Sequence, residues 1–280
     1  MVPDIVIHAV ASALYAVLAL HFWNTRWRTR PAAPASPAAA VTGLRAWERA
    51  AILLPLAVHG ALLYSELFAR SELHFGFAYA LSAMLWLAVL FYWLESFVYD
   101  LDAMQPPVLG LAAVAVPLPA LFPGHAGAAY AASFEFRVHL VLAMLAYSLF
   151  TIALLHALLM AAVERRLHQK SGFAIGPLPP LLTLEWLLFR LIGAAFVLLT
   201  VTLATGFAFS ESLFGRAMRF DHKTVFGVLS WLTFGLLLAG RQLHGWRGRT
   251  ALRWTLSGFV LLFLAYIGSR FVLEVILGRS

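Results

Sequence analysis

Ten histidines and no cysteine among 280 residues set the first chemical question. Four of the ten, His8, His59, His139 and His156, lie in or beside apolar runs. An imidazole in such a place either hydrogen-bonds a neighbouring element or ligates a metal. No HxxxH spacing joins them, so the local sequence offers no preformed metal site. A second concentration is "FGRAMRFDHKTVFGVLSW", residues 214 to 231, which sets Arg216, Arg219, Asp221, His222 and Lys223 directly before an apolar run. Imidazole is a metal ligand, guanidinium and ammonium receive carboxylates, and an acid in this position either caps the following helix or fixes an imidazole tautomer. Without cysteine, disulfides, thiolate ligation, iron–sulfur clusters and thiol exchange are excluded for this chain.

The elements that must position these groups are membrane spans. The chain is 62% hydrophobic and 12% charged, with a mean hydropathy of +0.85, a composition of polytopic membrane proteins. Apolar runs fall at about 5–23, 50–68, 75–94, 108–122, 138–162, 184–209, 224–240 and 255–277, and a span needs ~20 residues at 1.5 Å rise. The expectation is an all-α polytopic bundle of about eight transmembrane helices forming a single integral membrane domain over residues 1–280. The fourth run carries Pro106, Pro107, Pro117, Pro119 and Pro123 and is expected to be short or bent.

Charge sets the orientation. Residues 1 to 23 have Asp4 but no Lys or Arg, and Arg26, Arg28 and Arg30 follow, so the first run reads as a retained span with its N-terminus outside. Eight crossings then place Arg26, Arg28, Arg30, Arg45, Arg49, Arg165, Arg166, Lys170, Arg241, Arg247, Arg249 and Arg253 on the inner side. Arg70, Arg137, Arg216, Arg219, Lys223 and Arg279 fall outside, and both termini are expected to be extracytoplasmic. The net charge of +7 thus follows topology and anionic lipid headgroups, with no nucleic acid implied. Residues 24–49 read as a cytoplasmic Pro/Ala-rich linker. Gly60, Gly193, Gly206 and the Gly235/Ala239 pair suit close helix contacts. Glu164, Arg165, Glu185 and Arg190 are expected to form an ion cluster near the inner side, and Arg270 either pairs with Glu274 at i,i+4 or receives a ligand carboxylate.

With this topology, His139 at the head of span five and Asp221/His222 at the head of span seven share the outer face, together with His74, His125 and the outer end of span eight with Arg270. Imidazoles, cations and the aromatic rings of Phe207, Phe209, Phe214 and Phe220 gathered on one face suit a flat, apolar, anionic, metal-containing ligand, and haem is the candidate.

The stretches "HLVLAMLAYSLF" from His139, "LEWLLFRLIGAAFVLLTVTLATGFAF" from Leu184 and "FGRAMRFDHKTVFGVLSWLTFGLLLAGR" from Phe214 resemble the CcsA-type cytochrome c assembly superfamily, most closely its YpjD-like and HemX-like branch. The resemblance covers residues 130–277 well and residues 50–100 loosely. It rests on the ordered set His139, Tyr147, Arg190, Leu198, Leu199, Thr200, Gly206, Gly215, Asp221, Lys223 and Trp231. It implies a multi-pass protein of the bacterial inner (cytoplasmic) membrane that handles haem at the outer face. External histidines are then axial ligands beside a Trp-rich loop, and partners are other membrane or cytochrome-assembly proteins.

Residue by residue, His139 falls on the family's first external histidine, and Asp221 and Lys223 fall on the Asp and Lys that close the Trp-rich motif. His59 is the candidate match to an intramembrane histidine. The chain departs from the pattern where Phe214, Met218 and Phe220 replace the loop tryptophans, where Ala239 replaces a histidine, and where span eight has no histidine. His222 is offered as the second ligand from the residues alone.

The expectation is therefore a haem-handling membrane protein with His139 and His222 as metal ligands and with Phe220, Asp221, Lys223 and Arg270 lining the cofactor. It is not expected to be an enzyme in its own right, since no nucleophile–base pair or phosphate loop is present. Two alternatives remain open, an accessory or scaffold protein that kept the fold without the ligand, and a small-molecule permease.

Overall fold

The computed structural model describes residues 2–28, 44–67, 74–101, 103–126, 133–169, 181–214 and 222–278. The order is α1 (Val2–Phe22, continued by the π-helical Trp23–Arg28), α2 (Ala46–Leu67), β1 (His74–Phe75), α3 (Phe77–Glu95), α4 (Gln105–Ala115) and α5 (Leu118–Leu121). There follow β2 (His125–Ala126), α6 (Phe134–Gln169), α7 (Leu181–Phe214), α8 (His222–His244) and α9 (Gly248–Phe263). α9 runs on through π-helical turns at Leu264–Gly268 and Val272–Ile276. Among the described residues seven helices are long and apolar enough to cross a membrane, and Gln105–Leu121 is a shorter apolar helix in the fourth place.

The prolines explain that fourth element. Pro106 and Pro107 occupy the first turn of α4, where a missing N–H costs nothing, whereas Pro117 and Pro119 interrupt the ladder and split α4 from α5. Short as it is, the pair returns the chain to the side it left. β2, after α5, pairs antiparallel with β1, before α3, in the register His74↔Ala126 and Phe75↔His125. The start of α3 and the end of α5 therefore share one face of the bundle, called here the hairpin face. The fourth run therefore returns to the hairpin face, and among the described residues seven long helices and this shorter pair run between the two faces.

The helices form two groups. α1, α2, α3 and α4 pack on one another, α6, α7, α8 and α9 close a second four-helix bundle, and α3 against α6 joins them. The second bundle is centred on Phe150 and Phe234, whose rings stack with centroids 3.9 Å apart. Gly258 permits this, because a Cβ there would stand 2.8 Å from the Phe234 ring. Of the glycines expected at close contacts, Gly60 (against Trp86), Gly206 and Gly235 are so placed, but Gly193 has nothing within 4 Å and Ala239 is exposed. The seam between groups holds a buried polar pair. His156 donates Nδ1–H to the Ile152 carbonyl at 2.8 Å and turns Nε2 toward Glu95 at 3.7 Å.

Opposite the hairpin, acids and arginines consume one another. Glu48, 3% exposed, accepts from the Arg45 N–H at 2.7 Å and from Arg26 at 3.0 Å, with His21 at 3.4 Å. Glu185 pairs with Arg241 and, at 3.5 Å, with Arg247. Gly245 (φ 66°) and Gly248 (φ 51°) make this possible, since left-handed backbone at both lets a short link reverse the chain and bring Arg247 to α7. The expected cluster of Glu164, Arg165, Glu185 and Arg190 does not form, because the acids are taken by arginines from the end of α8 to the start of α9. Arg190 stacks over Trp186 at 4.6 Å, and Glu164 meets Arg249 at 3.6 Å. Residues 29–43 of the expected linker lie outside the described residues, and helix enters the stretch from both ends, to Arg28 and from Ala46.

Candidate functional site

Burial separates the four membrane histidines. His8, His59 and His156 are 5%, 1% and 0% exposed, whereas His139 is half-buried near the start of α6, on the hairpin face. His59 meets Ser82 with Nε2 2.8 Å from the hydroxyl, and its Nδ1 has no hydrogen-bond partner but is sealed inside the bundle. Only His139 combines a fixed ring with access from outside the bundle.

The fixing is specific. Nδ1 of His139 lies 3.0 Å from Thr205 Oγ1, and that hydroxyl donates to the Thr202 carbonyl, also at 3.0 Å. A threonine hydroxyl has one hydrogen, so with it committed to Thr202 the oxygen can only accept from the ring. The tautomer with hydrogen on Nδ1 follows, and Nε2 is left with its lone pair and no hydrogen-bond partner among the described residues. Gly206 completes the seat, because a Cβ there would stand 3.3 Å from His139 Cε1 and would press the ring back by a few tenths of an ångström. Thr205 was not legible as a functional residue. Its signal is a hydroxyl immediately before Gly206, in a run that also carries Thr200 and Thr202 and so does not single it out.

Of the other predicted residues, His222, Lys223 and Arg270 lie on the same face. α8 packs on α7 with the Gly227 Cβ position 3.5 Å from Leu203. Since the helices are antiparallel, His222, five residues earlier, stands about one turn farther out than Thr205. His139 and His222 thus flank the same end of α7 from opposite neighbours, and His222 is exposed at the first position of α8. Lys223 holds its ammonium 5.7 Å from the Tyr266 ring. Arg270, one turn beyond Tyr266 on α9, pairs along its own helix with Glu274 at 3.7 Å, and Glu274 also accepts the Phe77 N–H at 3.3 Å. The i,i+4 pairing expected of Arg270 is therefore made, and its acid closes the first turn of α3. Phe220 and Asp221 lie outside the described residues, as do Gly215, Arg216, Met218 and Arg219.

Below this level the π turn of α9 carries a further contact. Tyr147 donates its phenol to the Leu262 carbonyl at 2.8 Å, two residues before the turn begins at Leu264. This bond ties α6 to α9 just before the π turn, and within the turn the Ser269 hydroxyl donates to the Ala265 carbonyl at 3.2 Å. Trp231 similarly donates to Thr200 at 2.8 Å and ties α8 to α7.

Among the described residues no three or more His, Asp or Glu side chains converge on a common point. An imidazole or two would suffice for a metal already held by a macrocycle, as in haem, and Nε2 of His139 is the nitrogen that would meet it.

The chain is 36% identical over 139 residues to the inner membrane protein YpjD of Escherichia coli, covering 50% of this chain and 52% of YpjD. It is 33% identical over 86 residues to the cytochrome c biogenesis protein CcsA of a Nostoc species, covering 31% of this chain and 24% of CcsA. The chain thus spans about half the length of YpjD and a quarter of that CcsA. No solved structure matches it. The sequence pattern described as "Cytochrome C assembly protein" matches residues 47–277, from the start of α2 to the end of α9, and the chain belongs to the cytochrome c assembly protein family.

Proposed function

We propose that this protein sits in a bacterial inner membrane and binds haem at its outer face, with Nε2 of His139 as an axial ligand, for delivery to other assembly proteins. The observation that carries the reading is the His139–Thr205–Thr202 relay, which holds one ring nitrogen protonated and presents the other as a lone pair. The outer-face assignment is supported by charge. Arg26, Arg45, Arg49, Arg165, Arg241, Arg247, Arg249 and Arg253 all lie at the end opposite the hairpin, against Arg137, Lys223 and Arg270 at the hairpin end.

His222 offers the second imidazole. Lys223 and Arg270 supply cations for propionate groups, Arg270 exchanging its pairing with Glu274 for a ligand carboxylate. Phe220 contributes an aromatic face, and Asp221 orients His222 or caps α8. Haem when bound supplies the iron centre that a cytochrome needs, and this chain's own part is to ligate, orient and release it.

The test is a visible spectrum of protein purified from haem-replete cells. A Soret band is expected in the wild type and not in His139→Ala. No band in the wild type, or an equal band in His139→Ala, overturns the reading.

A further inference from the structure

The end opposite the hairpin contains a cleft of about 390 Å³ between the last turns of α6 and the first turns of α9, lined by Ala161, Glu164, Arg165, Arg249, Leu252 and Arg253. Three guanidinium groups face one carboxylate there. Arg249 pairs with Glu164 at 3.6 Å, while Arg165 and Arg253 make no ion pair among the described residues. This is a cationic cavity with two arginines uncommitted.

What lies beneath the arginines identifies the occupant. On α6, Arg165 follows Ala161 and Leu158 at helical spacing, and Leu158 is 44% exposed. On α9, Arg249 and Arg253 are followed by Leu256 and Val260, 44% and 47% exposed. Each helix therefore presents cations at its end and an apolar stripe directly below, toward the membrane interior. Trp254, stacked on Trp246 with centroids 5.2 Å apart, stands at the level of a membrane interface. A free phosphate would use the arginines alone, and an acidic peptide would leave the stripes bare. A lipid with an anionic headgroup uses both.

We infer that the α6–α9 cleft binds one anionic phospholipid of the leaflet opposite the hairpin, its phosphate held by Arg165, Arg253 and Arg249 and its acyl chains lying along Leu158, Leu256 and Val260. Arginine suits this task because its planar fork engages two phosphate oxygens at once, and Glu164 tunes the site by competing for Arg249. The inference is independent of haem binding, since the cleft is at the other end of the molecule.

The experiment is native mass spectrometry of the full chain in mild detergent, titrated with dioleoyl phosphatidylglycerol, dioleoyl phosphatidylcholine or inorganic phosphate. The wild type is expected to retain one phosphatidylglycerol in preference to phosphatidylcholine, and inorganic phosphate is expected not to displace it. The double variant Arg165→Gln/Arg253→Gln should lose about tenfold in phosphatidylglycerol retention, the scale of removing charge-assisted contacts. Glu164→Gln, which keeps every cation, should raise retention and so guards against a folding defect in the double variant. The proposal is overturned by equal retention of the two lipids, by displacement with inorganic phosphate, by an unchanged double variant, or by a fall in Glu164→Gln.

Discussion

At the end opposite the hairpin, Glu48 takes up Arg26, His21 and the Arg45 N–H, and Glu185 takes up Arg241 and Arg247. At the hairpin end, His139 is held by one nitrogen through Thr205 and keeps the other. Both ends contain polar groups at the edge of a low-dielectric slab, yet they use them differently. Acids that are matched by nearby arginines are consumed in holding helices together, since an unpaired charge there is costly. An imidazole can be positioned while uncharged, so it is held in place without being consumed. Position without consumption is what a ligand site requires.

That contrast can be broken from either side. Glu48→Ala is expected to be the most damaging change to the fold, because it leaves Arg26 without its acid in a partly buried place. Arg26 can reach toward the headgroups, so the loss should be about 2–3 kcal/mol rather than the full cost of an orphaned buried charge. Thermal unfolding in detergent measures it, and a shift no larger than that of an exposed substitution would dissolve the contrast.

Thr205→Val removes the acceptor that sets the His139 tautomer. It should weaken haem retention about 10- to 100-fold, as loss of a ligand's supporting hydrogen bond does, with little change in unfolding temperature. Titration of haem into the apoprotein reads this, and a Thr205→Val protein that binds like wild type would show that the relay is irrelevant.

Tyr147→Phe removes the side-chain hydrogen bond that ties α6 to the Leu262 carbonyl of α9, a loss of about 1 kcal/mol. Its spectrum should keep the Soret band, which separates a helix tie from a ligand contact. The smallest effect is expected from Glu274→Gln, which keeps an acceptor for Phe77 N–H and loses only the charge toward Arg270. About 0.5 kcal/mol should disappear from stability, detected as a small drop in unfolding temperature.

Much of the architecture was open to reading. The apolar runs gave the crossings, Pro117 and Pro119 gave the break in the fourth, and the i,i+4 spacing gave the Arg270–Glu274 pair. The ion cluster was placed at the correct end with the wrong partners, because Glu185 meets Arg241 and Arg247 across a helix hairpin. Contacts between helices depend on rotation about each axis, and a helix apolar on nearly all sides carries little record of its rotation. The same limit hid Thr205 and the Leu158–Leu256 stripes around the arginine cleft.

What the sequence settled by itself is the succession of apolar helices and, among the described residues, the end of the bundle at which the charges gather, since hydrocarbon thickness fixes run length and charge must stay near water. What only the tertiary structure decided is which polar groups are already satisfied. Hydrogen bonds are short and directional, so the single nitrogen left over on His139 becomes visible only when Thr205 and Gly206 of another helix are brought against it.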